Sequence, residues 1–134
     1  MMKVYEGKRG TKKGTILGRE VLREAKIVTV TTYEIEEVDF KTTRAKLIES
    51  KELKHYVLHS PDGFEWGYAG SGPSDLAYSI LWEYLGCQPN QDAWINFRDC
   101  WVRTWMRTGW RITEKQITEW YESGVRLEEF PDQR

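Results

Sequence analysis

The stretch SPDGFEWGYAGSGPSDLA, residues 60–77, separates two halves of the chain that have different hydrophobic periods. It concentrates glycine, proline and three aromatic rings at one point, and then turns into an apolar pattern at helical spacing. Clusters of glycine and proline predict a tight turn in the backbone. A glycine-rich turn that leads into a helix can also bind a ligand.

The half before this stretch predicts β-strands. Short segments rich in β-branched residues fit strands at 3–6, 15–18 and 27–33, with turns in GKRGTKKG at 7–14. Two further strands, 53–58 and 64–68, are predicted on either side of the turn SPDG. Residues 40–51 fit a helix or a loop.

The half after it predicts three helices. Apolar residues recur at helical spacing from Leu76 to Leu85 and stop at Gly86. A second, tryptophan-rich helix is predicted over 90–108, and a third begins at a capping box of Thr113 and Gln116. We therefore expect a single α+β domain over 1–134: mainly strands in 1–68, helices in 73–122, and a surface tail at 123–134, with the helices packed against a small antiparallel sheet.

The residues at the predicted start of the first helix can be interpreted in two ways. Pro73 suits the first helical position, Gly72 or Ser71 the N-cap, and Asp75 the positive end of the helix. On this interpretation the glycines only form a corner. The same atoms suit phosphate binding, through backbone N–H groups at 70–72 and the hydroxyls of Ser71 and Ser74, although Asp75 competes for the positive end.

Aromatic and basic side chains near this corner extend the binding hypothesis. Trp66 and Tyr68 lie two residues apart on a predicted strand and therefore on the same face, where both could stack on a nucleobase. The tryptophan-rich helix adds cations that either bind phosphate or keep its outer face hydrated. The predicted ligand-binding residues are Trp66, Tyr68, Gly70, Ser71, Gly72, Ser74, Arg98, Arg103 and Arg107.

Catalytic patterns are weaker than binding patterns. His59, Asp62 and Glu65 could form a proton-transfer or metal-binding set, but a turn-capping aspartate is the more common arrangement. The two cysteines, Cys87 and Cys100, lack the spacing of a zinc site or a disulfide framework. The sequence therefore favours a protein without catalytic residues, cofactor or metal.

Charge and composition limit the partners. The net charge is -1, from 20 basic and 21 acidic residues, which argues against binding to DNA through bulk charge. No apolar run approaches the length of a membrane span and no leader is recognised, so we expect a cytoplasmic protein. Eighteen aromatic residues exceed what one small core readily hides, and exposed rings at Trp94, Trp101 and Trp105 would predict a homodimer.

The stretch HSPDGFEWGYAGSGPSDLAYSIL, residues 59–81, resembles the signature of domain-of-unknown-function family 6166. A later element of the same family is matched by Trp110, Ile112 and Thr113. The resemblance covers roughly the second half of the chain. It implies a small cytoplasmic protein, often encoded by phages and mobile elements, and it supplies no reaction and no catalytic residues. The matching positions in the signature are His59, Ser60, Pro61, Gly63, Phe64, Trp66, Gly67, Tyr68, Gly70, Ser71, Gly72, Pro73, Leu76 and Ala77.

Three functions follow as hypotheses. The first is a non-enzymatic accessory protein that captures a phosphate-bearing small molecule, such as a nucleotide used as a defence signal. The second is a protein-binding inhibitor of a host defence complex that uses tryptophan and arginine side chains on the 90–108 helix. The third, less favoured, is a small metal-dependent hydrolase or nuclease that uses His59, Asp62 and Glu65.

Overall fold

The computed structural model describes residues 1–39 and 41–124, and within them it contains a four-stranded antiparallel sheet and three α-helices. The predicted α+β class is confirmed. The sheet order is β3-β2-β1-β4, so its fourth strand comes from the helical half of the chain. The elements are β1 Met2–Ile16, β2 Arg19–Asp39, β3 Thr42–Glu52, α1 Ser71–Leu85, α2 Gln91–Cys100, a 3₁₀ turn Val102–Thr104, β4 Gly109–Thr113 and α3 Glu114–Glu122.

The β1–β2 hairpin is longer than the sequence predicts. Its two-residue loop is Leu17–Gly18, and both residues have positive φ, 52° and 78°. This is the geometry that matches the twist of a hairpin, and glycine adopts it without strain. The predicted turns at 7–14 are wrong, because those residues continue β1. Gly7 is needed there, since a Cβ atom on it would lie 2.3 Å from Nε1 of Trp110.

Strand β3 occupies the segment for which the sequence suggested a helix or a loop. It pairs antiparallel with β2, from Thr29 opposite Glu52 to Asp39 opposite Thr42, and every residue of β3 is exposed. The hydrogen-bonding partner, and not a buried face, makes this segment a strand. Phe40, at the start of the predicted segment, lies outside the described residues.

The predicted strands at 53–58 and 64–68 are wrong. The chain from 53 to 70 is irregular, and side chains satisfy much of its backbone. The Asp75 carboxylate accepts hydrogen bonds from the backbone N–H groups at 58–60, and the Ser79 hydroxyl accepts one from Tyr56 N at 2.9 Å. Side chains of helix α1 therefore hold this loop through hydrogen bonds to its backbone.

Helix α1 begins earlier than predicted. Gly70 is the N-cap, so Ser71 and Gly72 are the first two helical residues and Pro73 the third. Asp75 falls beyond the first turn, which contains no acidic residue. The predicted end is confirmed, since Gly86 caps the helix with a φ of 76°.

The second predicted helix is shorter in the structure. Helix α2 starts after Asn90, whose side chain accepts a hydrogen bond from Ala93 N at 2.8 Å, and ends at Cys100. The chain then passes through the 3₁₀ turn into β4, which the sequence analysis did not predict. The capping box of Thr113 and Gln116 is confirmed at the start of α3.

The aromatic rings form much of the core. Trp94, Trp110 and Trp120 are buried, and Trp101 and Trp105 are half-buried. Trp105 stacks on Trp110 with ring centres 4.1 Å apart. The expected exposed array of Trp94, Trp101 and Trp105 is therefore wrong, because Trp94 in α2 is buried and the two tryptophans that flank the 3₁₀ turn are half-buried. The homodimer stays a prediction that has lost this support.

The last part of the predicted surface tail, residues 125–134, lies outside the described residues. Among the residues that are described, no helix combines the length and the apolar character needed to cross a bilayer.

Candidate functional site

A cleft of about 390 Å³ opens at the N-terminus of α1. One wall is the irregular loop before the helix, the second is the first turn of α1, and the third is contributed by β2. Three of the predicted ligand-binding residues, Tyr68, Ser71 and Gly72, line it. The full lining is Lys26, Ser60, Asp62, Gly63, Phe64, Glu65, Tyr68, Ser71 and Gly72.

Glu65 and Gly72 form a tight contact in this cleft. A Cβ atom on Gly72 would lie 2.6 Å from Cβ of Glu65 and 3.1 Å from its backbone nitrogen. A side chain at position 72 would therefore collide with the loop. Glycine here lets the loop pack directly on the first turn of α1.

The Glu65 carboxylate is held by two cations. Arg9 Nη2 lies 2.5 Å from Oε1 and Lys26 Nζ lies 3.0 Å from Oε2. Partial burial opposes the charge, but the hydrogen bonds from Arg9 and Lys26 outweigh it and hold the pKa of Glu65 below its ordinary value. These three groups together carry one net positive charge, and the carboxylate of Asp62, which also lines the cleft, offsets it.

Trp66 and Tyr68 do not share an accessible face. Gly67 between them has a φ of 91°, which breaks the alternation that a strand would impose. Trp66 is buried: its Nε1 donates to the Arg107 carbonyl at 3.0 Å, and the Arg9 guanidinium lies 4.8 Å from its ring centre. Tyr68 is half exposed at 50%. Of the two rings, Tyr68 is the one that a ligand in the cleft can reach.

Arg98 contacts the first turn of α1 but does not line the cleft, where the binding hypothesis needs a countercharge. Its Nη1 donates to the Ser74 hydroxyl at 3.1 Å, and Ser74 in turn donates to the Gly70 carbonyl at 2.7 Å. Its Nε donates to the buried carboxylate of Asp99 at 2.9 Å. Ser74 is buried, so this pair supports the turn from behind and does not line the cleft.

The other two predicted arginines lie elsewhere. Arg103 and Arg107 are exposed on the segment after α2 and do not line the cleft. Arg107 contributes its backbone carbonyl, which also accepts a hydrogen bond from Arg9 Nε at 2.8 Å. Arg107 therefore contacts Trp66 and Arg9 through its backbone and lies outside the lining of the cleft.

The residue that shapes the loop, Asp75, was not among the predicted ligand-binding residues. Asp75 is fully buried, and its carboxylate accepts hydrogen bonds from Leu58 N at 3.1 Å, His59 N at 2.7 Å and Ser60 N at 3.0 Å. Its position beside Leu76, on the apolar stripe of the helix, was the available signal that it points inward. The lining residues Lys26, Ser60 and Phe64 were also missed.

The predicted set of His59, Asp62 and Glu65 is assembled in part: Asp62 and Glu65 line the cleft, and His59 does not. His59 and Asp62 are exposed, and Glu65 is engaged by Arg9 and Lys26. Across residues 1–39 and 41–124, no group of three or more histidine, cysteine, aspartate or glutamate side chains is arranged to hold a metal ion. The metal-dependent hydrolase gains no geometric support from these residues.

Comparison with protein families identifies the chain. Residues 5–123 match the family of unknown function DUF6166. The chain belongs to this family. The match to DUF6166 runs from β1 through α3, so it includes strands of the sheet as well as the segment around the start of α1. Neither the comparison with curated proteins nor that with solved structures finds a significant match.

Proposed function

We propose that this DUF6166 protein is a non-enzymatic binding module that captures a phosphate-bearing small molecule, such as a nucleotide, in the cleft at the start of α1. The observation that carries the proposal is the position of the cleft: its wall includes the first helical residues, Ser71 and Gly72, and the exposed ring of Tyr68. A single cavity thus offers a helix N-terminus and an aromatic face.

The electrostatics of the cleft favour an anion. The first N–H groups of a helix have no partner within the helix, and they lie at the positive end of its dipole. Asp75, which the sequence placed at this end as a competitor, binds the 58–60 loop instead, and the first turn has no acidic residue. Lys26 and the exposed Ser71 hydroxyl add donors. Glu65 is paired with Arg9 and Lys26, and Asp62 brings the sum of these four charges to zero. The attraction for an anion therefore comes from the helix N-terminus and not from a net charge of the side chains.

The size of the cleft suits a nucleotide. Its volume of about 390 Å³ lies within the range of small-molecule pockets, about 300–1,000 Å³. Stacking of a base on an aromatic side chain contributes about 1–3 kcal/mol. We therefore place the phosphate near Ser71 and the base near Tyr68. Capture of a nucleotide defence signal by a phage or mobile-element accessory protein is the setting we propose, on the strength of the family resemblance.

Isothermal titration calorimetry tests this function. The titrants are cyclic dinucleotides and mononucleotides, with the corresponding nucleosides, which lack phosphate, as matched controls. We expect saturable binding of at least one nucleotide and much weaker binding of its nucleoside. Absence of heat with every nucleotide at high micromolar concentration would contradict the proposal.

A second candidate, a protein-binding inhibitor, is favoured by one observation. Met106 is 73% exposed and lies between the exposed residues Arg103 and Arg107. Methionine and arginine are enriched at protein interfaces. In this hypothesis Met106 and the two arginines would make the protein contact that the sequence assigned to exposed tryptophans. Co-purification of a partner that is lost with Met106→Asp, but retained when the α1 cleft is blocked, would support it.

A further inference from the structure

The β1–β2 hairpin extends beyond the rest of the sheet as a two-stranded ribbon, here called the basic ribbon, residues 9–26. Strand β4 pairs with β1 only from Val4 to Lys8, and β3 pairs with β2 only from Thr29 onward. The basic ribbon contains six basic and two acidic residues, an excess of four, whereas the whole chain has a net charge of -1. The six basic residues are Arg9, Lys12, Lys13, Arg19, Arg23 and Lys26.

Two pairs of like charges lie directly opposite each other across the basic ribbon. Arg9 is opposite Lys26, and Lys12 is opposite Arg23. Directly opposed like charges on one face of an antiparallel pair are destabilising. The first pair is compensated inside the protein, because the Glu65 carboxylate bridges Arg9 and Lys26.

The second pair is not compensated in this way. Lys12 Nζ lies 3.2 Å from Oε1 of Glu52, with both side chains largely exposed, and Arg23 makes no ion pair within the part of the chain that the structure describes. Arg19 is also unpaired within that part, and it shares the face of Arg23 because it lies four residues away on the same strand. We call this face, Lys12, Arg19 and Arg23, the open face.

The acidic residues of the basic ribbon lie on its other face. Glu20 is 3.5 Å from Lys13, and Glu24 is 3.8 Å from Arg9. The remaining positions on the open face are mostly small or apolar: Gly10, Gly14, Ile16, Val21 and Ala25. The open face therefore carries three cations among small and apolar side chains.

We propose that the open face binds duplex DNA, with the basic ribbon in the major groove and Lys12, Arg19 and Arg23 on phosphates. The major groove of B-form DNA, about 12 Å wide, admits a two-stranded β-ribbon. The deep, narrow major groove of A-form RNA does not admit side chains in the same way. The near-balanced charge of the whole chain argues against coating DNA through bulk charge, and the proposal concerns this local excess alone.

Fluorescence anisotropy with a labelled DNA duplex of about two helical turns, about 20 base pairs, tests the proposal. We expect binding at about 50 mM salt that weakens strongly by about 200 mM salt. The double variant Lys12→Gln, Arg23→Gln should bind about tenfold or more weakly. It should also lower the slope of log affinity against log salt by about two, one for each phosphate contact.

Lys13→Gln is the matched control. Lys13 is the next residue after Lys12, it is more exposed, and it points to the other face, where it pairs with Glu20. Lys13→Gln removes one positive charge, as Lys12→Gln does, but it should alter DNA affinity less than about twofold. A loss equal to that of the single variant Lys12→Gln would overturn the assignment to the open face.

Two further results would overturn the proposal: no binding of the wild-type protein to DNA at low salt, or equal or tighter binding to an RNA duplex of the same sequence. Thermal melting of each variant establishes that the fold is intact. Ser71→Glu, which alters the α1 cleft, should leave DNA affinity unchanged. The nucleotide and DNA proposals can therefore fail separately.

Discussion

His55 Nε2 lies 2.8 Å from Oδ2 of Asp75, and this pair fixes the loop that forms one wall of the cleft. The same carboxylate accepts the three backbone hydrogen bonds from residues 58–60. His55 also packs on Phe64, a cleft residue, with ring centres 4.5 Å apart. One buried side chain on α1 thus positions the backbone and the ring that line the cleft.

Asp75→Asn should destabilise the protein by about 2–4 kcal/mol. The amide keeps one acceptor oxygen but turns an N–H₂ group toward backbone donors, and hydrogen bonds to a charged group contribute about 1.5–3 kcal/mol each. The free energy of unfolding, measured by urea denaturation, checks this. Asp62→Asn on the same loop is the control, since Asp62 is exposed. Equal stability of the two variants would contradict the role assigned to Asp75.

Stability should fall as the solution becomes acidic. Burial opposes the charge of Asp75, but hydrogen bonds from His55 and the loop outweigh it, so its pKa lies below the ordinary value; the pKa of Glu65 is also lowered. A group with a lowered pKa in the folded state stabilises fully above its unfolded pKa, about 4 for these carboxyls. That contribution is lost as pH falls from about 4 through the folded pKa values.

Urea denaturation at a series of pH values measures this loss. The wild-type protein should show a steeper decline in the free energy of unfolding below about pH 4 than Asp75→Asn, which cannot titrate at that position. Parallel profiles for the two proteins would show that Asp75 has no lowered pKa in the folded state.

Gly7→Ala should destabilise the sheet by about 1–3 kcal/mol, the usual penalty of overpacking. The new Cβ atom would lie 2.3 Å from Trp110 Nε1, and Trp110 cannot retreat freely because it stacks on Trp105. Gly14→Ala in the same strand is the matched control, since its nearest neighbour would be Arg23 Cδ at 3.8 Å. The melting temperatures of the two variants check this prediction. Equal melting temperatures would show that the contact between residue 7 and Trp110 does not limit stability.

The sequence was most informative where the signal is local. The capping box at Thr113 and the glycine that ends α1 specify helix ends by themselves, and both are confirmed. The strands were harder to predict because their cause is distant. Gly7 and Gly10 read as turn residues, yet β1 continues through them since β2 pairs along its whole length. Strand β4 is too short to be recognised without its partner, β1.

In the candidate site, too, the residues placed by local sequence were predicted and those placed by distant contacts were not. Tyr68, Ser71 and Gly72 line the cleft because they surround the helix start that their own sequence specifies. Trp66 was misplaced, since the positive φ of Gly67 turns the chain where a strand would alternate. Lys26 was missed because only the hairpin register and Glu65 bring it to the loop.

A homodimer remains a prediction, although the tryptophans that suggested it are largely in the core. Light scattering at micromolar concentration checks it. We expect a mass of about twice 15.9 kDa. A mass near 15.9 kDa would exclude the dimer at that concentration.

Ser71→Glu should abolish nucleotide capture without harming the fold. The obvious alternative, Gly72→Arg, is a poor test because any side chain at position 72 collides with Glu65. Ser71 is exposed and is the first residue of α1, where a carboxylate stabilises a helix by about 0.3–1 kcal/mol. The same carboxylate would occupy the positive helix end and repel phosphate. For Ser71→Glu we therefore expect no heat of nucleotide binding in calorimetry and a melting temperature that is unchanged or raised.

Ser71→Gln is the matched control for this last prediction. It has nearly the same size and shape as the glutamate but no charge, so it separates repulsion of phosphate from simple obstruction of the cleft. We expect Ser71→Gln to retain measurable nucleotide binding and Ser71→Glu to lose it. Equal loss in both variants would indicate a ligand excluded by bulk, and unchanged binding in both would place the nucleotide away from the start of α1.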